Sequence, residues 1–352
     1  MRPHRQPPPS AGRRWIVNDL TAAVPLVSVG MPVHNMERTI RAALESVLAQ
    51  SYQNLEVVVY DNGSTDGTAD VVSEVARGDD RVRLECGGTN RGLSHSFNSA
   101  FELTSGTYFL WVAADDSIGA DYVSRAVARL ESDTAVMLCA PAVTAYLEGR
   151  PDPVYEVHIS GFGPGVSRFD RLRRSNGGLP MVVMYGVFRS SFLATVCLLK
   201  PSHMADVAFM QEVAVRGPIV EEEEQRHYYS MPKLWRTTRD EHRLFTGREV
   251  VGPVVMPFLP LLVDRVQRMW SLELGTATRI GYVLVVVSAE CRRLAVRAAW
   301  RCYRSLVGSV RASSVGERLY WRWMHVPGVE VLDMEAFIER VVYPTMGLTS
   351  KA

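Results

Sequence analysis

The chain has 352 residues, 47% hydrophobic and 22% charged, enough to bury the core of one large or two ordinary domains. Lysine and arginine total 39 against 38 aspartates and glutamates, so charge gives no reason to expect a nucleic-acid partner. This balance excludes wholesale disorder, a disulfide scaffold and a multi-span membrane protein.

Residues 1–24 are basic and proline-rich with no apolar stretch behind them, which reads as a disordered leader rather than a secretory signal. From Leu26 to about Ala142, short apolar runs alternate with helical periodicity. The runs Leu26 to Met31, Leu55 to Tyr60, Arg81 to Cys86, Tyr108 to Ala113 and Ala135 to Ala140 read as strands. Asn35 is placed to cap a helix reaching Ala49 through Ile40, Leu44, Val47 and Leu48. Further helices are expected through Val71 to Val75, from Ser94 to Leu103 and from Ala120 to Leu130. Such alternation predicts an α/β fold, a mostly parallel sheet with helices on both faces.

Beyond Pro141 the pattern degrades, and residues 141–185 resist assignment. A helix over Ala205 to Val215 ends at Gly217-Pro218, and from about Pro257 the chain is mainly helical. The acids Glu221 to Glu224 read as a solvated face. His203, His227 and His242 are too scattered for metal-ligand spacing. Five cysteines, an odd number with no C-x-x-C spacing, fit neither a disulfide framework nor a zinc site. They point to a reducing compartment, the cytoplasm.

In an open parallel sheet, ligands bind at the carboxyl ends of the strands. Asp61-Asn62-Gly63-Ser64, Asn90-Arg91-Gly92 and Asp115-Asp116 all fall there. Singly each is an ordinary turn. Together they crowd carboxylates that repel unless a cation or donors join them. A divalent cation, Mg²⁺ or Mn²⁺, with a nucleotide diphosphate would resolve the repulsion. Neither G-x-G-x-x-G after the first strand nor G-x-x-x-x-G-K-[ST] occurs, which excludes a nicotinamide dehydrogenase and a P-loop NTPase.

The stretch VSVGMPVHNMERTIRAALESVLAQSYQNLEVVVYDNGSTDGTADVV, continued by TNRGLSHSFNSAFELTSGTYFLWVAADDS, resembles a family-2 glycosyltransferase of GT-A fold. The likeness is strong over residues 25–142 and looser over 185–217. It implies a catalytic domain over 25–250 and a helical C-terminal region over 251–352. Pro32, Val33, His34, Asn35 and Asp61 would hold the nucleobase and ribose, with Asn90 and Arg91 nearby. Asp115 would bind the metal and Asp116 would face the sugar. The family's D-x-D stands here as Ala113-Ala114-Asp115, so the first acid is missing.

Asp206, at the start of its helix, matches the position of the general base; its plainer meaning is a first-turn acid favoured by the helix dipole. The implied activity is inverting transfer of a sugar from a nucleotide-diphosphate donor to a hydroxyl of a glycan, lipid or small molecule. The competing class is a non-catalytic nucleotide-sugar-binding or assembly subunit, which Ala113 favours. Arg293, Arg297, Arg301 and Arg304 form a basic stripe beside Val296, Trp300, Tyr303 and Val307. Such a helix lies on an anionic membrane surface, the inner face of the plasma membrane, or packs on the catalytic domain with its arginines in water.

Overall fold

A computed structural model describes residues 24–147, 150–202, 204–231, 238–248, 259–307 and 329–332. The leader expected over 1–24 lies almost wholly outside these residues.

In chain order the first elements are β1 (Val27–Val33), α1 (Ile40–Leu48), β2 (Leu55–Asp61), α2 (Thr68–Gly78), β3 (Val82–Cys86), α3 (Leu93–Glu102), β4 (Tyr108–Trp111), β5 (Ser117–Ile118) and α4 (Tyr122–Ser132). Then come β6 (Leu138–Leu147), β7 (Pro153–Val157), α5 (Arg168–Gly178), a 3-10 turn (Met181–Tyr185), β8 (Val187–Arg189), α6 (Ser190–Leu193), α7 (Ala205–Arg216) and β9 (Ile219–Met231). The remaining described elements are α8 (Thr238–Thr246), α9 (Leu259–Trp270), α10 (Thr276–Val307) and β10 (Val329–Val331).

The sheet runs β10-β7-β6-β8-β4-β1-β2-β3, with β9 paired to β6 and β5. Strands β1, β2, β3 and β4 are mutually parallel, so their four carboxyl ends lie along one edge of the sheet. Strand β8 is antiparallel to both β4 and β6. Alternation along β1 sends Val27, Val29, Met31 and Val33 into one core, against α1 and the partner strands. On the opposite face Trp111 is fully buried among Phe97, Phe109, Phe188 and Phe209, with ring centroids 4.7 to 6.0 Å away. Its indole N–H donates to the Phe97 carbonyl at 2.9 Å, so the polar atom of this large side chain is satisfied. Gly30 is required where α3 crosses: a Cβ there would lie 2.8 Å from Phe109 and 3.2 Å from Ala100.

Three expectations need correction. Asn35 does not cap the first helix, which begins at Ile40 after Thr39; Asn35 stands at φ 56° and bonds to the loop after β2 instead. Residues 141–185, unassigned from the sequence, hold regular elements: β6 continues to Leu147 and is followed by β7 and α5. Pro141 disguised the strand: it sits where the β6–β9 register shifts, between the end of the β8 pairing and the start of the β7 pairing. A bulge of this kind is where a sheet tolerates a residue without an N–H. Nor are all of Glu221 to Glu224 solvated, since they lie in β9. The Glu221 carboxylate is 6% exposed and 2.7 Å from His158 Nδ1, and Glu222 pairs with Arg125 at 2.8 Å.

The C-terminal helices dock on α5 and α7 through buried polar groups as well as a small apolar cluster of Leu172, Val215, Met269, Leu272, Tyr282 and Val286. Arg265 and Arg268 are each 1% exposed. Arg268 pairs with Glu212 on α7 at 2.9 Å and with Asp264 at 3.0 Å, and donates to the carbonyls of Cys197 and Leu198. Arg265 donates to Gln211 at 2.9 Å and to Asn176 and Glu290. Burial, with Arg293 nearby, pushes the Arg265 guanidinium down to about 10. Arg293 bonds to Glu290 and to the Asn176 carbonyl, so this member of the basic stripe packs inward. The side chains of Val296 to Val307, and with them the rest of the stripe, lie outside the described residues.

Removing one partner of a buried ion network leaves charge without compensation, and Glu212 is 0% exposed. Arg268→Met is expected to lower the unfolding free energy by about 3 kcal/mol in urea titrations. A change below about 1 kcal/mol would mean that apolar contacts alone hold α9 in place.

Candidate functional site

The loops at the carboxyl ends of β1, β2 and β3 are laced together by side-chain hydrogen bonds. The backbone N–H of Asn35 donates to Ser64 Oγ at 2.9 Å, and Asn35 Oδ1 accepts from the Thr65 N–H at 2.8 Å. Asp61 is 5% exposed, and its Oδ1 accepts from both the N–H and the hydroxyl of Ser64, at 2.8 and 2.6 Å. Asn62, 2% exposed, joins the β2 loop to the β3 loop: its amide donates to Asn90 Oδ1 and the Gly92 carbonyl, each at 3.2 Å, and accepts from the Arg91 N–H at 3.1 Å. Pro32 and His34 are half-buried, Val33 is buried, and His34 Nδ1 is enclosed without a hydrogen-bond partner. The structure therefore gathers Pro32 to Asn35, Asp61, Asn90 and Arg91 at one edge of the sheet.

A cleft of about 570 Å³ opens beside this edge, between α3, the segment around Leu199 and the end of α8. Asn90, Arg91, His95, Asn98, His242 and Arg248 line it. Two guanidinium-bearing residues and several amide and imidazole groups suit an anionic, hydroxyl-rich guest. His95 bonds to the Tyr60 hydroxyl at 3.0 Å, and burial, then the charge of Arg91, lowers its pKa. The rim is closed by main chain: a Cβ on Gly92 would stand 2.4 Å from the Gly247 nitrogen, and both glycines have positive φ, 87° and 68°. Asn98 clasps the far wall, donating to the Leu199 carbonyl at 2.8 Å and accepting from its N–H at 3.0 Å.

A second group of acids lies within electrostatic reach of Tyr185. Asp115 is exposed at the turn after β4, with Ala113 half-buried where a second carboxylate would stand. Asp116 points inward: its side chain is fully buried, Oδ2 bonds to His227 Nε2 at 2.7 Å and Oδ1 accepts from the Ser230 N–H at 2.8 Å. Asp206 lies in the first turn of α7, reached through Met204 at φ 56°. Burial pushes its carboxyl up to about 6, against the pull of the Val207 N–H at 2.9 Å. The charges of Asp116, Asp115 and Asp206 all act on the Tyr185 phenol, so the strand-end acids and the α7 acid share one neighbourhood.

Asn35 and Met204 are the only non-glycine residues with positive φ among the described residues, and each introduces a candidate site residue or is one. Left-handed backbone costs a non-glycine residue about 1–2 kcal/mol, and it persists where surrounding bonds fix it. Sequence reasoning placed Asn62 in a strand-end turn without giving it a role, left His227 unassigned and missed Tyr185. Asn62 had a readable signal, an amide beside Asp61 in a strand-end turn. His227 had none, since its partner is 111 positions away.

The residues available for a divalent cation are few. Among the described residues no three His, Cys, Asp or Glu side chains stand together as a ligand set. Exposed Asp115 fits a cation that takes one carboxylate and completes its shell with diphosphate oxygens and water.

Residues 28–193 match the sequence model of Glycosyl transferase family 2. Glycosyltransferase GlyA of Streptococcus pneumoniae serotype 4 is 35% identical over 113 residues, 31% of this chain and 16% of that protein. Putative glycosyltransferase EpsE of Bacillus subtilis strain 168 is 37% identical over 108 residues, 30% of this chain and 39% of that protein. The chain thus spans well under two thirds of these relatives. Among solved structures, S. aureus TarS 1–349 in complex with UDP-GlcNAc superposes with a TM-score of 0.55 at 19% identity, over 75% of this chain and 72% of that one. That likeness carries the fold, a GT-A arrangement of mixed α/β layers followed by helices. The match to Glycosyl transferase family 2 covers residues 28–193, just under half of the chain, and takes in the strand-end loops and Tyr185.

Proposed function

We propose that the protein is an inverting glycosyltransferase that moves a sugar from a nucleotide-diphosphate donor to a hydroxyl of a glycan, lipid or small molecule. The observation that carries this reading is the edge gathered at the strand ends, where hydrogen bonds join Asn35, Asp61, Asn62 and Asn90, with the charges of Asp115 and Asp206 both felt at Tyr185. The donor's base and ribose would rest on Pro32, Val33, His34, Asn35 and Asp61. Arg91, on the cleft wall, would meet the diphosphate. The UDP-GlcNAc held by the structural relative supports a nucleotide sugar as guest.

Asp115 would hold a Mg²⁺ or Mn²⁺ ion, which supplies charge neutralisation of the leaving diphosphate. Asp206, on a rigid helix, would take the proton of the acceptor hydroxyl. Asp116, expected to face the sugar, is instead fully buried with both oxygens bonded to β9, and would shape the site through His227. A second reading, a nucleotide-sugar-binding or assembly subunit without turnover, is favoured by Ala113 and by the lack of a three-ligand set among the described residues. Donor hydrolysis with and without Mn²⁺, across UDP-, GDP-, dTDP- and CDP-sugars, separates the two. Binding without hydrolysis for every donor would select the second.

Asp115→Asn is expected to remove the Mn²⁺-dependent part of the thermal shift produced by the preferred nucleoside diphosphate, with an unchanged melting temperature in its absence. A shift equal to that of the unaltered protein would displace the metal from Asp115.

A base must be ionised to work, so turnover should rise with pH and level off above about 6, the value to which burial raises Asp206. Asp206→Asn should lose this acidic limb and about 10²–10⁴ in transfer rate while still binding nucleotide. Normal transfer by this variant would eliminate Asp206 as the base.

The acceptor side of the proposal includes peripheral attachment at an anionic leaflet. Among the described residues no helix is long and apolar enough to cross a membrane. Leu259, Val263 and Trp270 on α9 and Ile280 and Leu284 on α10 are exposed, as an interfacial surface requires. Co-sedimentation with phosphatidylserine vesicles at low salt is the expected result, and its absence would end this part of the proposal.

A further inference from the structure

Tyr185 ends the 3-10 turn, and the residue after it, Gly186, has no room for a side chain: a Cβ would lie 2.5 Å from Leu138 and 2.7 Å from the Cys139 carbonyl. The main chain is thereby fixed just past the tyrosine. Its ring lies flat on the His227 imidazole, with centroids 4.8 Å apart and planes 12° apart, and Phe97 flanks it at 6.4 Å. His227 is held in turn by Asp116, both side chains being fully buried. An aromatic face anchored through two buried partners has little freedom to turn.

The ring explains the stack, but nothing in the stack uses the hydroxyl. Tyr185 is half-buried, and its hydroxyl is neither bonded to a described residue nor among the enclosed polar atoms that lack a partner. Burial and the charges of Asp116, Tyr229, Asp115 and Asp206 hold the phenol well above its usual range. It therefore remains an O–H donor at any working pH and cannot serve as a base. A fixed donor that has no acceptor among the described residues, near acids assigned to the two sides of the reacting centre, wants an oxygen from a bound ligand.

We infer that Tyr185 contacts the substrate, donating a hydrogen bond to a hydroxyl of the sugar being transferred, and that His227 is the positioning residue that holds its ring. The inference rests on the glycosyltransferase reading and names the group that reads the donor's sugar. A phenylalanine would keep the stack and lose only the hydrogen bond. The sugar, not the nucleoside diphosphate, should then feel the change.

The test uses the nucleotide sugar hydrolysed fastest by the full-length protein, with the matching nucleoside diphosphate as product inhibitor. Tyr185→Phe is expected to lower kcat/KM for hydrolysis about 5- to 20-fold and to leave the inhibition constant of the diphosphate within about twofold. His227→Ala should lower the same parameter, and the double variant should be no worse than the poorer single one, because the histidine acts through the tyrosine. Additive losses would show His227 acting elsewhere and overturn its positioning role. Unchanged kcat/KM in Tyr185→Phe, or an equal weakening of diphosphate inhibition, would overturn the contact with the sugar while leaving the enzyme reading intact. An unaltered protein that hydrolyses no donor would overturn both. If His227→Ala fails to fold, the Tyr185→Phe result still decides the sugar contact.

Discussion

The bond between Asp116 and His227 ties the two halves of the domain to each other. Asp116 belongs to the strand-end turn after β4, and His227 to the middle of β9, the last long strand of the sheet. Both side chains are wholly withdrawn from water, so neither is tolerable there without the other. The antiparallel pairing of β5 with β9 places Ile118 opposite His227 and repeats the same join in the backbone. Around this bond the acid turn after β4, the Tyr185 ring and, one helix away, Asp206 acquire fixed relative positions. The site is thus built on a buried polar pair rather than on loop packing.

Much of the first half was readable because local and global signals agreed there. Short apolar runs in β1, β2 and β4 and the period of the α1 helix each matched the structure to within a few residues. The strand-end residues Asp61, Asn90 and Asp115 were placed at one edge by topology alone, which needs no side-chain detail. Legibility failed where long-range partners set the outcome. Pro141 hid the continuation of a ten-residue strand because the register shift that tolerates it belongs to β9, some eighty positions away. The charged run of β9 read as solvent-facing because His158 and Arg125, which bury two of its acids, lie outside any local window.

The C-terminal helices teach the same lesson with the opposite sign. Arginines that pattern alone would send to water or to lipid are, at positions 265 and 268, among the most deeply buried large side chains of the molecule. Periodicity marks which face of a helix a residue occupies, but it cannot say whether that face meets carboxylates. Here Glu212 and Asp264 were waiting, and Glu212 belongs to the helix that carries Asp206. The helix presenting the candidate base is therefore braced from behind by α9. The scaffold behind Asp206 thus extends beyond α7 into α9.

The contact between Gly92 and Gly247 gives the cleft beside α3 an unusual character. Most binding clefts are gauged by side chains, which swing between rotamers and let the opening breathe. Here one corner of the wall is a stretch of main chain resting on another. No rotamer change can part the two, so opening the cleft at that corner would need the end of α8 to shift as a whole segment.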